Sequence, residues 1–312
     1  YIYHKTGQLS SAIEELNWIL AARPNDLKAR ELRATVFAQQ EDWDRAAEDL
    51  RVLVAQRPDD ARARIQLARA DLAAGNLDQA LEGFRKTLET HSDPVLAVEG
   101  MVQVLLRKQA FDQALAVCEE HLEKRPGDLR LSLLKAGVLA SKGDTASARE
   151  FLNQVRAAHP DSDRPVLLLA RMARNQGDVN EAKTLYQEAM DLNPDGMEAP
   201  MSLARLHIAT EHYEEAVRIY EGLLARTGGY GPAENDLAYL YATLNRNLDR
   251  ALELARSAQQ KSPGQPDVAD TLGWIHIQRG SNVLARQHLH DAIAADPENP
   301  LYRYHLGVAF CR

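Results

Sequence analysis

The chain has 312 residues, of which 45 % are hydrophobic and 26 % charged, and its formal net charge is −8. That balance allows a substantial buried core, contains no apolar run long enough to span a bilayer, and argues against general nucleic-acid binding, which needs a broad positive field. The two cysteines, Cys118 and Cys311, lie more than five units apart in the register derived below, which excludes an intramolecular disulfide and a cysteine-built metal site.

In chain order, residues 1–26 read as the end of one helical unit, with Gly7 at a turn, Ala12 inside a helix and Pro24 closing it. Eight full units follow at 27–60, 61–94, 95–128, 129–162, 163–196, 197–230, 231–265 and 266–299, and 300–312 opens another. Each unit is predicted to hold two helices, A then B. Both ends read as interior repeat, so the array is expected to continue in both directions.

Three coincident series fix this register. Ala12, Ala46, Ala80, Ala114, Ala148, Ala182, Ala216, Ala251 and Ala285 recur at steps of 34, with one step of 35. Twelve residues after most of them stands a proline: Pro24, Pro58, Pro126, Pro160, Pro194, Pro263 and Pro297. Twelve residues before stands a second small residue, Ala34, Ala68, Ala136, Ala170, Ala204, Gly273 or Gly307, with Ala238 in the same place after the extra residue is counted. Antiparallel helices approach closely only where side chains are small, so the small pairs mark the A–B crossing. Proline ends helix B, and Gly75, Gly143, Gly177 and Gly280 fall at the A–B turn, where left-handed backbone is needed.

Two places depart from the pattern. Val102 stands where a small residue belongs and the proline before that unit is displaced to Pro94; local repacking accounts for this. The run Thr227-Gly228-Gly229-Tyr230-Gly231-Pro232 replaces a proline boundary. It lacks the Lys-Ser/Thr of a phosphate-binding loop and a preceding strand, so a joint at 227–232 is expected instead. The extra residue within Asn245-Arg246-Asn247-Leu248 lengthens the next A–B turn.

Leu203-Ala204 followed by Ala216-Val217-Arg218-Ile219-Tyr220, and Leu272-Gly273 followed by Ala285 and Pro297, resemble the tetratricopeptide (TPR) family pattern. The resemblance covers the whole chain. It implies an all-α fold, a right-handed α–α superhelical solenoid of helix pairs that binds partners on a concave surface lined by the A helices. Asn235-Asp236-Leu237-Ala238-Tyr239, Asp270-Thr271-Leu272-Gly273-Trp274 and Tyr304-His305-Leu306-Gly307 further resemble the C-terminal part of bacterial TPR lipoproteins of exosortase (PEP-CTERM) systems linked to exopolysaccharide production. That likeness points to a periplasmic or outer-membrane-associated location over a cytoplasmic one. The carboxylate clamp of eukaryotic TPR co-chaperones has no counterpart: its first two positions hold Glu31 and Thr35, Ile65 and Arg69, or Leu167 and Arg171.

The second and ninth residues of helix A should face the groove. They place Arg62, Arg130 and Arg164, and Arg69, Arg171 and Arg205, along an inner surface that reads as basic over the N-terminal two-thirds. A cation in the first turn of a helix opposes the macrodipole, so Arg62, Arg130 and Arg164, with Lys28, favour an anionic partner over stability as their reason. In the last third Asn235, Asp236, Tyr239, Asp270, Thr271, Trp274, Tyr304 and His305 should cluster, a mixture of rings and polar groups suited to peptide or sugar. Either the three large rings receive a ligand or they pack against one another between units.

Catalytic constellations are missing. The ten histidines include no pair at i, i+4; His288 and His290 point in different directions, and His207 and His276 stand at an aromatic position of helix A, where packing is expected. There is no Gly-x-Ser-x-Gly or His-Glu-x-x-His, and the acid pairs Glu119-Glu120 and Glu214-Glu215 fall on exposed helix faces. The expected function is therefore not enzymatic and needs no cofactor or metal. It is a scaffold that grips a protein or peptide partner, with an acidic polysaccharide or a purely structural spacer role as alternatives.

Overall fold

The computed structural model describes residues 9–90 and 95–312, and Gly7 and Pro94 lie outside them. The described residues form eighteen α-helices and no strand. The chain divides into two compact units, Tyr1–Pro160 and Asp161–Arg312.

In the first unit the helices are α1 (Leu9–Ala22), α2 (Leu27–Gln39), α3 (Trp43–Gln56), α4 (Ala61–Ala74), α5 (Leu77–Thr90), α6 (Val95–Arg107), α7 (Phe111–Lys124), α8 (Leu129–Lys142) and α9 (Thr145–Ala158). In the second they are α10 (Asp163–Gln176), α11 (Val179–Leu192), α12 (Glu198–Ala209), α13 (Tyr213–Thr227), α14 (Gly231–Thr243), α15 (Leu248–Lys261), α16 (Pro266–Gln278), α17 (Asn282–Ala295) and α18 (Pro300–Cys311). Even-numbered helices are the A helices and odd-numbered ones the B helices. Consecutive helices pack within each unit, and A helices also meet directly, α4 with α6, α6 with α8, α14 with α16 and α16 with α18. Those contacts make one surface of A helices in each unit.

The small-residue series is where the helices cross. Ala46, Ala80, Ala114, Ala148, Ala182, Ala216, Ala251 and Ala285 are all fully buried, as are Ala68, Ala170, Ala204 and Ala238 on the facing helices. Gly307 alone of the series is exposed. Four residues beyond the B-helix alanine stands a core filler: Phe84, Tyr186 and Tyr220 are buried to 0 % exposure. Cys118 takes the same place on α7, and burial pushes its thiol up to about 12, which leaves it unreactive.

Starts and stops are written locally. Asp26, Asp60 and Asp128, each two residues after a proline, cap A helices by accepting from the backbone N–H three residues on, at 3.0, 3.0 and 3.1 Å. Asp42, Asp144 and Asp178 do the same for B helices. Where position four of helix A is arginine, as in Arg30, Arg64 and Arg303, its guanidinium donates back to the proline carbonyl six residues earlier. In every full unit the fifteenth residue, in the A–B turn, is left-handed, and the lengthened turn before α15 adds a second in Asn247. The fifteenth residue is glycine in Gly75, Gly143, Gly177 and Gly280, but Glu41, Gln109, Glu211 and Asn245 adopt the same conformation with φ of 59, 57, 60 and 49°. Packing of the pair imposes the turn even where the side chain opposes it.

The departure at Val102 is a repacking. Val102 is fully buried among Val98, Leu105, Cys118 and Leu131. Close approach has moved two residues upstream to Gly100, where a Cβ would lie 2.3 Å from the Phe84 ring.

Two outcomes follow for stability. Gly100→Ala gains helix propensity of about 1 kcal/mol but must displace the buried Phe84 ring, so a net loss of about 1–2 kcal/mol is expected in urea denaturation; a net gain would contradict this packing. Gln109→Gly and Glu211→Gly, which relieve left-handed strain, should each stabilise by about 0.5–1 kcal/mol, read as an upward shift of the same midpoint.

Candidate functional site

In the first unit Arg62 and Arg69 are exposed on the A-helix surface and form no ion pair among the described residues. Arg69 borders a hollow of about 290 Å³ shared with Leu96, Glu99 and Gln103 of α6. Arg130 is not free: its Nη2 lies 2.8 Å from Oε1 of Glu99 on the preceding A helix. In the second unit Arg164 is exposed and has no ion pair among the described residues. Arg171 approaches Glu198 of α12 at 3.9 Å, and Arg205 donates through Nε to Asp236 of α14 at 3.0 Å.

The row of arginines is therefore less basic than its residue types imply. Arg130, Arg171 and Arg205 each meet an acid on a neighbouring A helix, offset by about one repeat. Asp236 is further committed, because its Oδ2 also accepts from the Tyr220 hydroxyl at 3.0 Å. Burial, and then the adjacent carboxylate, raises the Tyr220 pKa, so the phenol stays a donor. Asp236 is thus a tie between α12, α13 and α14.

The aromatic residues come together. Tyr239 of α14, Trp274 of α16 and Tyr304 of α18 surround His305 of α18. The Trp274 and His305 rings stack at 4.4 Å with 26° between planes, and the centroids of Tyr239 and Tyr304 lie 6.0 and 5.7 Å from the histidine. His305 is 1 % exposed and its Nδ1 sits 2.8 and 3.0 Å from the two oxygens of Asp270, itself 3 % exposed. That bond fixes the orientation of the imidazole. Asp270 is consequently an internal anchor, and Thr271 beside it is buried too.

Tyr304, 63 % exposed, and the half-buried Tyr239 and Trp274 leave ring surface open to solvent. Burial, and then the charge of Asp270, raises the Tyr239 pKa, so this phenol stays neutral. The indole Nε1 of Trp274 and Oδ1 of Asn235 have no protein partner. Sequence reasoning placed the rings but not their common neighbour: each of the three packs on His305, and Tyr304 keeps an exposed ring.

His276 and His288 serve packing. His276 stacks on His288 with centroids 5.5 Å apart and planes 4° from parallel. Among the described residues no group of three or more His, Cys, Asp or Glu is arranged to hold a metal ion, and no helix is long and apolar enough to cross a membrane.

Family models of the tetratricopeptide repeat match residues 3–61, 37–98, 105–172 and 173–244, well over half of the chain. The chain belongs to the tetratricopeptide repeat family. No curated protein matches it. Among solved structures it is similar to a tetratricopeptide repeat protein from Parabacteroides merdae, with a TM-score of 0.51 and 14 % identity over 80 % of this chain and 98 % of that one. It is also similar to YrrB, described as a TPR protein with an unusual peptide-binding site (TM-score 0.47, 16 % identity, 60 % and 96 % covered). MamA from Desulfovibrio magneticus is another (TM-score 0.46, 16 % identity, 55 % and 96 % covered). The first likeness is one of fold. Tetratricopeptide repeat proteins generally act as protein-interaction scaffolds without catalysis of their own.

Burial sets a pH dependence for this TPR protein. His121, His207, His276 and His288 are all held below the ordinary histidine pKa, chiefly by burial and, for His276, next by the charge of His288. The folded chain keeps them neutral while the unfolded chain protonates them near pH 6.5. Their contribution is intact above about pH 6.5 and is lost as pH falls through and below it. The urea midpoint should therefore drop between pH 7.5 and 5.5, less steeply in His288→Gln; a midpoint that rises on acidification would refute the assignment.

Proposed function

We propose that this chain is a binding scaffold that captures an extended peptide segment of a partner on the A-helix surface of its second unit, over Tyr239, Trp274 and Tyr304. The observation that carries the reading is that these three rings, from three successive A helices, share one buried plate, the His305–Asp270 pair. Such rings offer large contact area with few rotors to freeze, and the buried dyad holds them in place before a ligand arrives. Arg164, Arg171 and Arg205 lie on the same set of helices and favour a partner with acidic residues. Arg62, Arg69 and Arg130 of the first unit are an additional cationic surface for the same partner.

The setting proposed is a bacterial envelope assembly or exopolysaccharide secretion system, in a periplasmic or outer-membrane-associated location. That part rests on the resemblance of the segments around Asn235, Asp270 and Tyr304 alone. The joint proposed at 227–232 would let the repeats after it adjust to the partner.

The test begins with peptides selected by display against the full chain, followed by calorimetry. Trp274→Ala and Tyr304→Ala should each weaken the selected peptides at least tenfold, about 1.4 kcal/mol, with the helical circular dichroism unchanged. Arg164→Glu with Arg171→Glu should weaken acidic peptides further and flatten their salt dependence. Equal binding by the ring variants would sink the site. Retention of an acidic polysaccharide, lost in the same variants while peptides never bind, would establish the glycan as the ligand instead. A chain in which only deletion of a whole repeat has any effect would be a spacer.

A further inference from the structure

The glycine run at 227–231 covers a second pocket in the second unit. It has a volume of about 370 Å³ and lies between α13, α14 and α15. Its α14 wall is Glu234, Leu237 and Tyr241, a helical stripe distinct from the Asn235, Asp236 and Tyr239 stripe of the aromatic site. Leu224 and Leu254 give it apolar sides, and Glu221, to which the Tyr241 hydroxyl donates, stands at the edge.

Glu234 is the group that needs explaining. It is 5 % exposed. Its Oε1 accepts from Lys261 Nζ at 2.6 Å and from Ser257 Oγ at 3.0 Å, but no protein donor reaches Oε2. A buried carboxylate oxygen left unpaired costs about 1–3 kcal/mol or more. The same repeat position holds Arg30, Arg64, Val98, Ser132, Val166, Pro200, Ala269 and Arg303 in the other units, none of them acidic. At this boundary two things change together. The proline turn becomes Gly228-Gly229, and the residue that elsewhere braces that turn or packs becomes a carboxylate. Gly229, at φ 119°, passes so close that a Cβ would lie 2.4 Å from Lys261 Nζ and 2.9 Å from Glu234 Oε1. The turn is built around the pair.

We propose that this pocket is a socket for the ammonium group of a lysine side chain on a bound protein partner. The lysine stem lies along Leu224 and Leu254 and its ammonium donates to Glu234 Oε2. Charge decides against an anion: Glu221 and Glu234 line the space, and of the cations at hand Lys261 is engaged by Glu234 and Arg250, also in the lining, by Glu253 at 3.0 Å. Geometry decides against arginine. With Oε1 of Glu234 taken, a guanidinium loses the bidentate pairing that favours it, whereas an ammonium is a point charge satisfied by one oxygen. Entry to the enclosed oxygen requires the Gly228-Gly229 turn to yield, and two adjacent left-handed glycines allow that at low cost.

The socket does not depend on the aromatic site, and the experiment separates them. The full-length chain, labelled with nitrogen-15, is titrated with the blocked tripeptide Gly-Lys-Gly and with its norleucine and arginine counterparts. Saturable shifts at the amides of Gly228, Gly229 and Glu234 are expected with the lysine peptide, and affinity at least tenfold lower with the other two. Glu234→Gln should abolish the shifts. Because that change also unpairs Lys261, Ala225→Tyr provides a second variant: it fills the pocket from an exposed position of α13 without touching the core, and should abolish them with circular dichroism unchanged. Trp274→Ala should leave them intact. No shift with the lysine peptide, equal binding of the norleucine peptide, or unaltered binding in Ala225→Tyr would each overturn the proposal.

Discussion

Everything in this fold hangs on how near helix A can come to helix B. Ala216 facing Ala204, and Ala251 facing Ala238, are buried to 0 %, which means backbones in near contact with only methyl groups between them. That proximity fixes the crossing of each pair. It leaves the larger residues four positions on, Phe84, Tyr186 and Tyr220, to fill the wedge between one pair and the next. Because each pair touches only its neighbours, the same local geometry repeats without any long-range contact to correct it. The unit beginning at Val95 shows how strict the demand is. When valine takes the small position, glycine appears two residues earlier so that Phe84 can still enter.

Most of the fold was therefore legible in the sequence, because the constraint is local and acts at one stride. Alanines, prolines and turn glycines each mark a place where the backbone has few options. What could not be read is set by the stagger between repeats. The pairing of Arg130 with Glu99 and of Arg205 with Asp236 joins residues 31 apart, and nothing in either helix alone distinguishes these cations from Arg62 or Arg164, which have no ion pair among the described residues. A scan for acids one repeat away from each groove arginine would have found them. The non-glycine left-handed residues Glu41, Gln109 and Glu211 were hidden for a different reason: packing imposes the turn, so local preference is overridden.

Charge in this chain divides by depth. Exposed rungs such as Lys108–Asp78, Lys142–Asp112 and Arg279–Asp249 tie the A–B turn of one unit to the B helix of the unit before, and in water each is worth a few tenths of a kcal/mol. Asp49 is another matter. It is 2 % exposed and bonded by Arg30 at 2.9 Å and by Arg33 at 2.7 and 2.8 Å. Removing both arginines would strand a buried charge. Asp270 likewise holds His305 under the aromatic surface, and Asp236 ties Arg205 to Tyr220. In each case the carboxylate is spent on orienting a neighbouring side chain.

Helix α14 concentrates what is individual about the protein. A solenoid that repeated without error would offer the same chemistry at every step, so recognition has to come from departures that stacking tolerates. On α14 the crossing residue Ala238 and its partner Ala251 are as buried as any in the chain, so the pair is held as firmly as its neighbours. Two other stripes of the helix are then free to differ. One carries Tyr239 toward the ring cluster, and the other carries Glu234 under the glycine turn. Both departures lie off the alanine crossing that fixes the pair, and this is why the family pattern specifies the architecture but leaves these two surfaces to be read from their own residues.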